Sequence, residues 1–210
     1  KGSINEGKMK VYDTKREKGH NKKEIDKILG EICASAVDHS ATFTALKDSF
    51  TLNQTSWKVK ETIPFSSERK FSAVSFENEN AYYLGAPDFI LKDEYKNEKS
   101  KIENYQKKYR VLLLAKSNEK VTEHPKQLEK LAYILIKDVV RKDAKDTLEF
   151  FEREKVEVKV ISGDNYNTVM SIAEEAGIKN IKGIDATTLN DETIKEAALN
   201  YNIFGRVTPK

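Results

Sequence analysis

Val158-Lys159-Val160-Ile161-Ser162-Gly163-Asp164-Asn165 is an apolar run that ends in a small hydroxyl residue, a glycine and an aspartate. Helical spacing begins at once over 166–176, and Gly177 supplies its stop. A strand feeding a helix through so short a loop is the unit of a parallel, doubly wound sheet, whose ligands sit at the carboxyl ends of the strands. Gly163 lets backbone amides approach an anion, Ser162 offers a hydroxyl, and the helix N-terminus adds positive potential. Ser162, Gly163 and Asp164 therefore read as a phosphate cradle. Asp164 and Asn165 read equally well as ordinary helix caps.

Working outward, the same alternation runs through the last third of the chain. The pattern predicts a helix over 144–154, a buried strand over 156–161, a short strand at Ile181, a helix over 191–200 and a closing segment over 203–207. Before about residue 137 it changes. A short strand at 8–12 precedes an amphipathic helix at 22–37, with Ile25, Ile28, Leu29, Ile32, Cys33 and Ala36 on one face. A second helix is predicted over 41–50, capped by Asp38 or Ser40. Strands follow at 57–63, 70–76, 81–84, 110–115 and 131–136, with polar turns such as Glu77-Asn78-Glu79-Asn80 that suit an antiparallel sheet. Helices are expected at 87–91 and 100–108, and 92–103 as an exposed linker or helix face. This gives two domains, 1–137 and 138–210, with no internal repeat.

Composition narrows the function classes. Basic residues number 37 against 34 acidic, and that near balance gives no reason to infer a nucleic-acid partner. The apolar runs 111–115 and 132–136 are strand-sized, far short of the roughly 20 residues that cross a bilayer, so no membrane contact by these residues is expected. The lone Cys33 excludes an internal disulfide and reads as a small core residue in a reducing compartment. His20, His39 and His124 have no metal-ligand spacing.

Four further segments give the cradle its company. Pro64-Phe65-Ser66-Ser67-Glu68-Arg69-Lys70, Gly85-Ala86-Pro87-Asp88 and Arg110-Val111-Leu112 precede it, and Phe204-Gly205-Arg206-Val207-Thr208-Pro209-Lys210 follows. Together with Ser162-Gly163-Asp164-Asn165 and Asp138-Val139-Val140-Arg141, they resemble motifs of the bacterial cation-transporting P-type ATPases, within the haloacid dehalogenase superfamily. The resemblance covers nearly all 210 residues. It implies an α+β nucleotide-binding domain, an antiparallel sheet flanked by helices, joined to a partial α/β haloacid-dehalogenase-like (Rossmann-like) domain. It implies ATP and Mg2+ as cofactors. Phe65 would stack on adenine and Lys70 would sit near base and phosphates, with Ser66, Arg69, Gly85, Ala86, Arg110 and Leu112 around them. An aromatic face for the base and cations for the triphosphate are physically apt. Arg206 would reach the nucleotide's far side beside Ser162, Gly163 and Asp164, and Asp138 and Arg141 would serve the hinge and sugar.

The resemblance also implies what lies elsewhere. The nucleophilic aspartate is expected just before Lys1, and the motif that helps hold magnesium beyond Lys210, so neither a catalytic aspartate nor a metal ligand is expected within these residues. The partner would be the rest of the same polypeptide, its membrane and actuator domains, and this part would be the cytoplasmic portion of an integral membrane protein. Leu84 replaces a family lysine, Phe43 an acid, and Val139-Val140 two prolines, which implies weaker or differently balanced ATP binding. Two alternatives stay open. One is a stand-alone small-molecule phosphatase with a cap domain, for which Asp13 is the early candidate nucleophile. The other is a non-catalytic nucleotide-binding module. Residues 138–210 are expected to have open sheet edges and a loose or rearranged fold.

Overall fold

Nine strands and seven α-helices form two compact units in a computed structural model that describes residues 4–78 and 80–208. Lys1-Gly2, Glu79 of the polar turn and Pro209-Lys210 of the last motif lie outside the described residues. One unit is Met9–Lys137; the other joins Lys1–Lys8 to Asp138–Lys210. Strand β1 (Asn5–Arg16) thus crosses from one unit to the other, as does β6 (Glu129–Val140), whereas the sequence pattern placed 1–137 in a single domain.

In Met9–Lys137, α1 (Lys22–Ser35) and α2 (Ala41–Phe50) precede β2 (Val59–Ile63), β3 (Phe71–Phe76) and β4 (Ala81–Gly85). Then come α3 (Pro87–Leu91), α4 (Tyr95–Gln106) and β5 (Arg110–Ser117). The strands order as β1-β6-β5-β4-β3-β2, antiparallel at every pairing from β2 to β6. Side chains alternate across the sheet. Val74, Phe76, Tyr82, Leu84, Leu114 and Ile134 meet the apolar stripe of α1 and α2 on one face. Phe71, Ala73, Tyr83, Leu113 and Tyr133 meet α3 and α4 on the other. Burying each such side chain is worth about 2 kcal/mol. Ser40 caps α2, its hydroxyl accepting from the Phe43 amide. Cys33 is buried, and that desolvation pushes its thiol pKa up to about 12. The charge-rich 92–103 stretch is a short 3-10 turn running into α4, whose Ile102 is buried and whose Tyr95 and Tyr105 pack half-buried against the same core.

The second unit carries α5 (Lys142–Arg153), β7 (Val160–Ile161), α6 (Tyr166–Ala176), β8 (Gly183–Asp185), α7 (Ile194–Asn200) and β9 (Ile203–Gly205). The strands lie in the order β7-β9-β8, all parallel. Gly177 ends α6 in the left-handed region at φ 96°. The buried strand expected over 156–161 is corrected. Only Val160 and Ile161 enter the ladder, and Val156 and Ile161 are 51% and 69% exposed. The one strand neighbour of β7 among the described residues is β9, so its other edge has no strand partner there. The Ile181 strand moves to 183–185, where the Asn202 side chain rather than a strand carbonyl accepts the Lys182 amide at 2.7 Å just before β8 begins. Likewise Asn190 accepts from Glu192 and Thr193, delaying α7 to Ile194.

Candidate functional site

Antiparallel register gathers the first group of expected residues at one rim of the large sheet. The end of β2, the start of β3, the end of β4 and the start of β5 share that rim, since Ile63 pairs Ala73, Phe71 pairs Gly85, and Gly85 pairs Leu113. Lys70 meets Gly85-Ala86 through the Ala86 amide, which donates to the Lys70 carbonyl at 2.9 Å. Arg110 and Leu112 are two apart on β5, hence on one face, and Leu112 packs against the α1/α2 core. Phe65, a residue 52% exposed, leads into this rim on the loop after β2.

The loop is a closed turn. Ser66 accepts the Lys70 amide at its carbonyl (2.8 Å) and the Arg69 amide at its hydroxyl (3.0 Å). Lys70 takes φ 59°, left-handed and costly for a residue with a Cβ. Gly85 is required by packing: a Cβ there would lie 2.4 Å from the Lys70 carbonyl oxygen and 2.5 Å from the Phe71 Cα. It thereby lets Lys70 and the end of β4 approach. Arg69 is bound to the protein itself, Nη1 to Glu123 at 2.7 Å and Nη2 to the Pro64 carbonyl. Leu84 and Phe43 are core residues, 4% and 6% exposed, so neither offers a polar group to the rim.

The second group sits where three parallel strands end. The Ser162 amide donates to Phe204, the Val207 amide to Ser162 and the Arg206 amide to Asp164 (2.7 Å), stitching the loops after β7 and β9 together. The Ser162 hydroxyl accepts the Asp164 amide, and Asn165 caps α6 by accepting from Asn167. The Asn165 half of the capping alternative is therefore realised. No described protein group accepts from the Gly163 or Asn165 amides. A Cβ on Gly163 would sit 3.4 Å from the Val207 carbonyl oxygen, an ordinary contact. Arg206 adopts φ 55° and pairs with Asp185 at 3.3 Å. Asp185 accepts first from the Thr187 hydroxyl and amide, and these bonds, with Arg206 as a lesser cause, hold its pKa below the ordinary value. Asp138 is buried, and Arg141 is paired bidentately with Asp143.

Among the described residues no group of three or more His, Cys, Asp or Glu could hold a metal ion. Asp13, the candidate nucleophile of the phosphatase alternative, lies within β1 rather than at the end of a strand and is ion-paired with Lys15 at 2.7 Å. Cavities of about 400 and 390 Å³ lie elsewhere, one lined by Val156, Ile178 and Leu199, the other by Lys60, Ser75 and Lys120. Sequence reading missed Asp185 and Glu123. Each contacts a motif arginine from a segment remote in sequence, Asp185 from the end of β8 and Glu123 from the loop after β5, and no local pattern marks such a partner.

A profile described as haloacid dehalogenase-like hydrolase matches residues 6–200, and the chain belongs to that family. Along 99% of its length it is further similar to cation-transporting P-type ATPases. "Probable cation-transporting ATPase exp7" of Streptococcus pneumoniae serotype 4 is 33% identical over 214 residues, 99% of this chain and 27% of that protein. "Calcium-transporting ATPase CtpE" of Mycobacterium tuberculosis is 30% identical over 213 residues, 99% of this chain and 26% of that protein. The chain thus spans about a quarter of the length of the curated relatives it matches. A crystal structure of a zinc-transporting PIB-type ATPase superposes with TM-score 0.60 at 16% identity, covering 83% of this chain and 26% of that one, a likeness of fold. The chain resembles the cytoplasmic part of such ATPases, and no helix among its described residues is long and apolar enough to cross a membrane.

Proposed function

We propose that this chain is the ATP-presenting part of a membrane cation-transporting P-type ATPase. Its adenine site is the rim of Met9–Lys137, and the phosphorylated aspartate lies outside residues 1–210. One observation carries the reading: strand register brings Lys70, Gly85, Ala86, Arg110 and Leu112 to one end of one sheet, beneath a loop that exposes Phe65. These groups suit ATP. An exposed ring offers a face to the base, Leu112 an apolar floor, and Lys70 and Arg110 offset phosphate charge. Phosphoryl transfer asks chiefly for positioning and charge compensation, which a binding unit can supply without the nucleophile.

The loop Ser162-Gly163-Asp164 and Arg206 would receive phosphate oxygens in the same reaction, with the Gly163 and Asn165 amides and the α6 N-terminus as donors. Asp138 and Arg141 would support the hinge and sugar contacts. Magnesium would be held mainly by residues outside this chain, and the cell membrane would be its location through the rest of the polypeptide. Amide-resolved NMR of the chain with ATP tests the assignment. Shifts concentrated at 65–70, 85–86 and 110–112 are expected. Shifts confined to other surfaces of Met9–Lys137, or to neither unit, overturn it.

A further inference from the structure

We propose that Glu123, on the loop between β5 and β6, is a positioning residue for the Phe65 ring, acting through Arg69. The inference rests on the nucleotide reading above and assigns Arg69 a different part in it. Arg69 donates from Nη2 to the carbonyl of Pro64, the residue before Phe65, and from Nη1 to Glu123 at 2.7 Å. Its guanidinium carbon stands 5.6 Å over the Phe71 ring, and its Nε is buried without a partner. A guanidinium gripped by a carboxylate on one side and a backbone carbonyl on the other cannot turn to satisfy that third nitrogen. Its charge is already compensated, so it supplies position rather than a cation for phosphate.

Glu123 is itself anchored to the core. The neighbouring Thr122 exchanges two hydrogen bonds with the Tyr83 hydroxyl: its amide donates at 3.0 Å and its carbonyl accepts at 3.3 Å. Tyr83 lies on β4 and is fully buried. The His124 amide closes the turn onto the Thr122 hydroxyl. A continuous path thus runs from buried Tyr83 through Thr122, Glu123, Arg69 and Pro64 to Phe65, which belongs to neither core cluster. A half-exposed ring outside the core clusters loses orientational freedom when a base stacks on it, and a strap that fixes it beforehand lowers that cost. A partly exposed ion pair adds little to global stability, so its effect is confined to the loop.

The test uses the 210-residue chain, with Glu123→Ala and Glu123→Gln, ATP affinity by calorimetry and amide exchange at 64–70. Glu123→Ala raises Kd about threefold to tenfold, with the melting temperature almost unchanged, and the glutamine variant falls between. The Arg69 and Lys70 amides exchange faster in Glu123→Ala. In a Phe65→Leu background the same change alters Kd less than about twofold, because its effect travels through the ring. An equal effect in both backgrounds, an unchanged Kd in the native background, or unaltered exchange at Arg69 and Lys70 would overturn the proposal. Absence of ATP binding by the unsubstituted chain would sink the nucleotide reading instead, and the exchange measurement would still decide whether Glu123 orders the loop.

Discussion

Lys70 holds a left-handed backbone at φ 59°, where glycine would rest without strain. On the nucleotide reading proposed above, a lysine is kept at this strained position for its side chain. Lys70→Gly is therefore expected to separate the two demands. Stability rises by about 0.5–1 kcal/mol in urea denaturation, while ATP affinity falls. A variant that loses stability as well would contradict the account of the turn. Gly85 carries the opposite demand, since a Cβ there meets backbone atoms of Lys70 and Phe71 that cannot swing aside. Gly85→Ala is expected to cost about 1–3 kcal/mol, read from the same denaturation curves. The motifs named both residues, but the reason for each lies in strand register. That register is set by Phe71 pairing Gly85, which no local sequence feature encodes.

At the scale of elements, a single buried carboxylate joins α1 to the segment that enters β2. Glu31 is 1% exposed and accepts from Lys27 (2.6 Å) and the Ser56 amide (2.7 Å) through one oxygen and from the Trp57 amide (3.3 Å) through the other. Burial opposes its charge, yet these hydrogen bonds outweigh it and hold the pKa below the ordinary glutamate value. A depressed folded-state pKa contributes stability that is present above the unfolded value and lost as pH falls through the folded one. Glu31→Gln should flatten the acid limb of the stability curve below about pH 4, and Glu31→Ala should cost about 1–3 kcal/mol at neutral pH. Trp57 fluorescence reports both, because the indole stacks on Tyr82 at 5.8 Å and meets Phe76 edge-on. Periodicity located most helices and strands to within a few residues, because apolar spacing dictates which face is buried. It did not locate Glu31, an acid inside an apolar face whose backbone partners, the Ser56 and Trp57 amides, lie 25 and 26 residues further on. The open edge of β7 is expected from the resemblance rather than from periodicity, since the alternation of Val156, Val158 and Val160 with Glu157 and Lys159 reads as a strand whether or not a neighbour pairs with it.

At the scale of the molecule, the two units carry separate constraints that can be perturbed separately. Gly205 lets β9 pass the start of α6: a Cβ would fall 2.2 Å from the Tyr166 Cα. Gly205→Ala must therefore push on the helix that follows the Ser162-Gly163-Asp164 loop. Faster amide exchange is expected across α6 and β9, with the Trp57 transition of Met9–Lys137 unchanged. Slowed or unaltered exchange there would contradict the packing argument.

The central claim is that the rim of the six-stranded sheet binds ATP through Phe65. Trp57 packs at the Phe76 end of the β2–β3 pair, away from the Ile63 end that leads to Phe65, so calorimetry is the more direct probe. Titration of the chain and of Phe65→Ala with ATP is predicted to give saturable binding worth about 4–6 kcal/mol, weakened at least about tenfold by the substitution. No binding by the unsubstituted chain, or equal binding by both proteins, would contradict it.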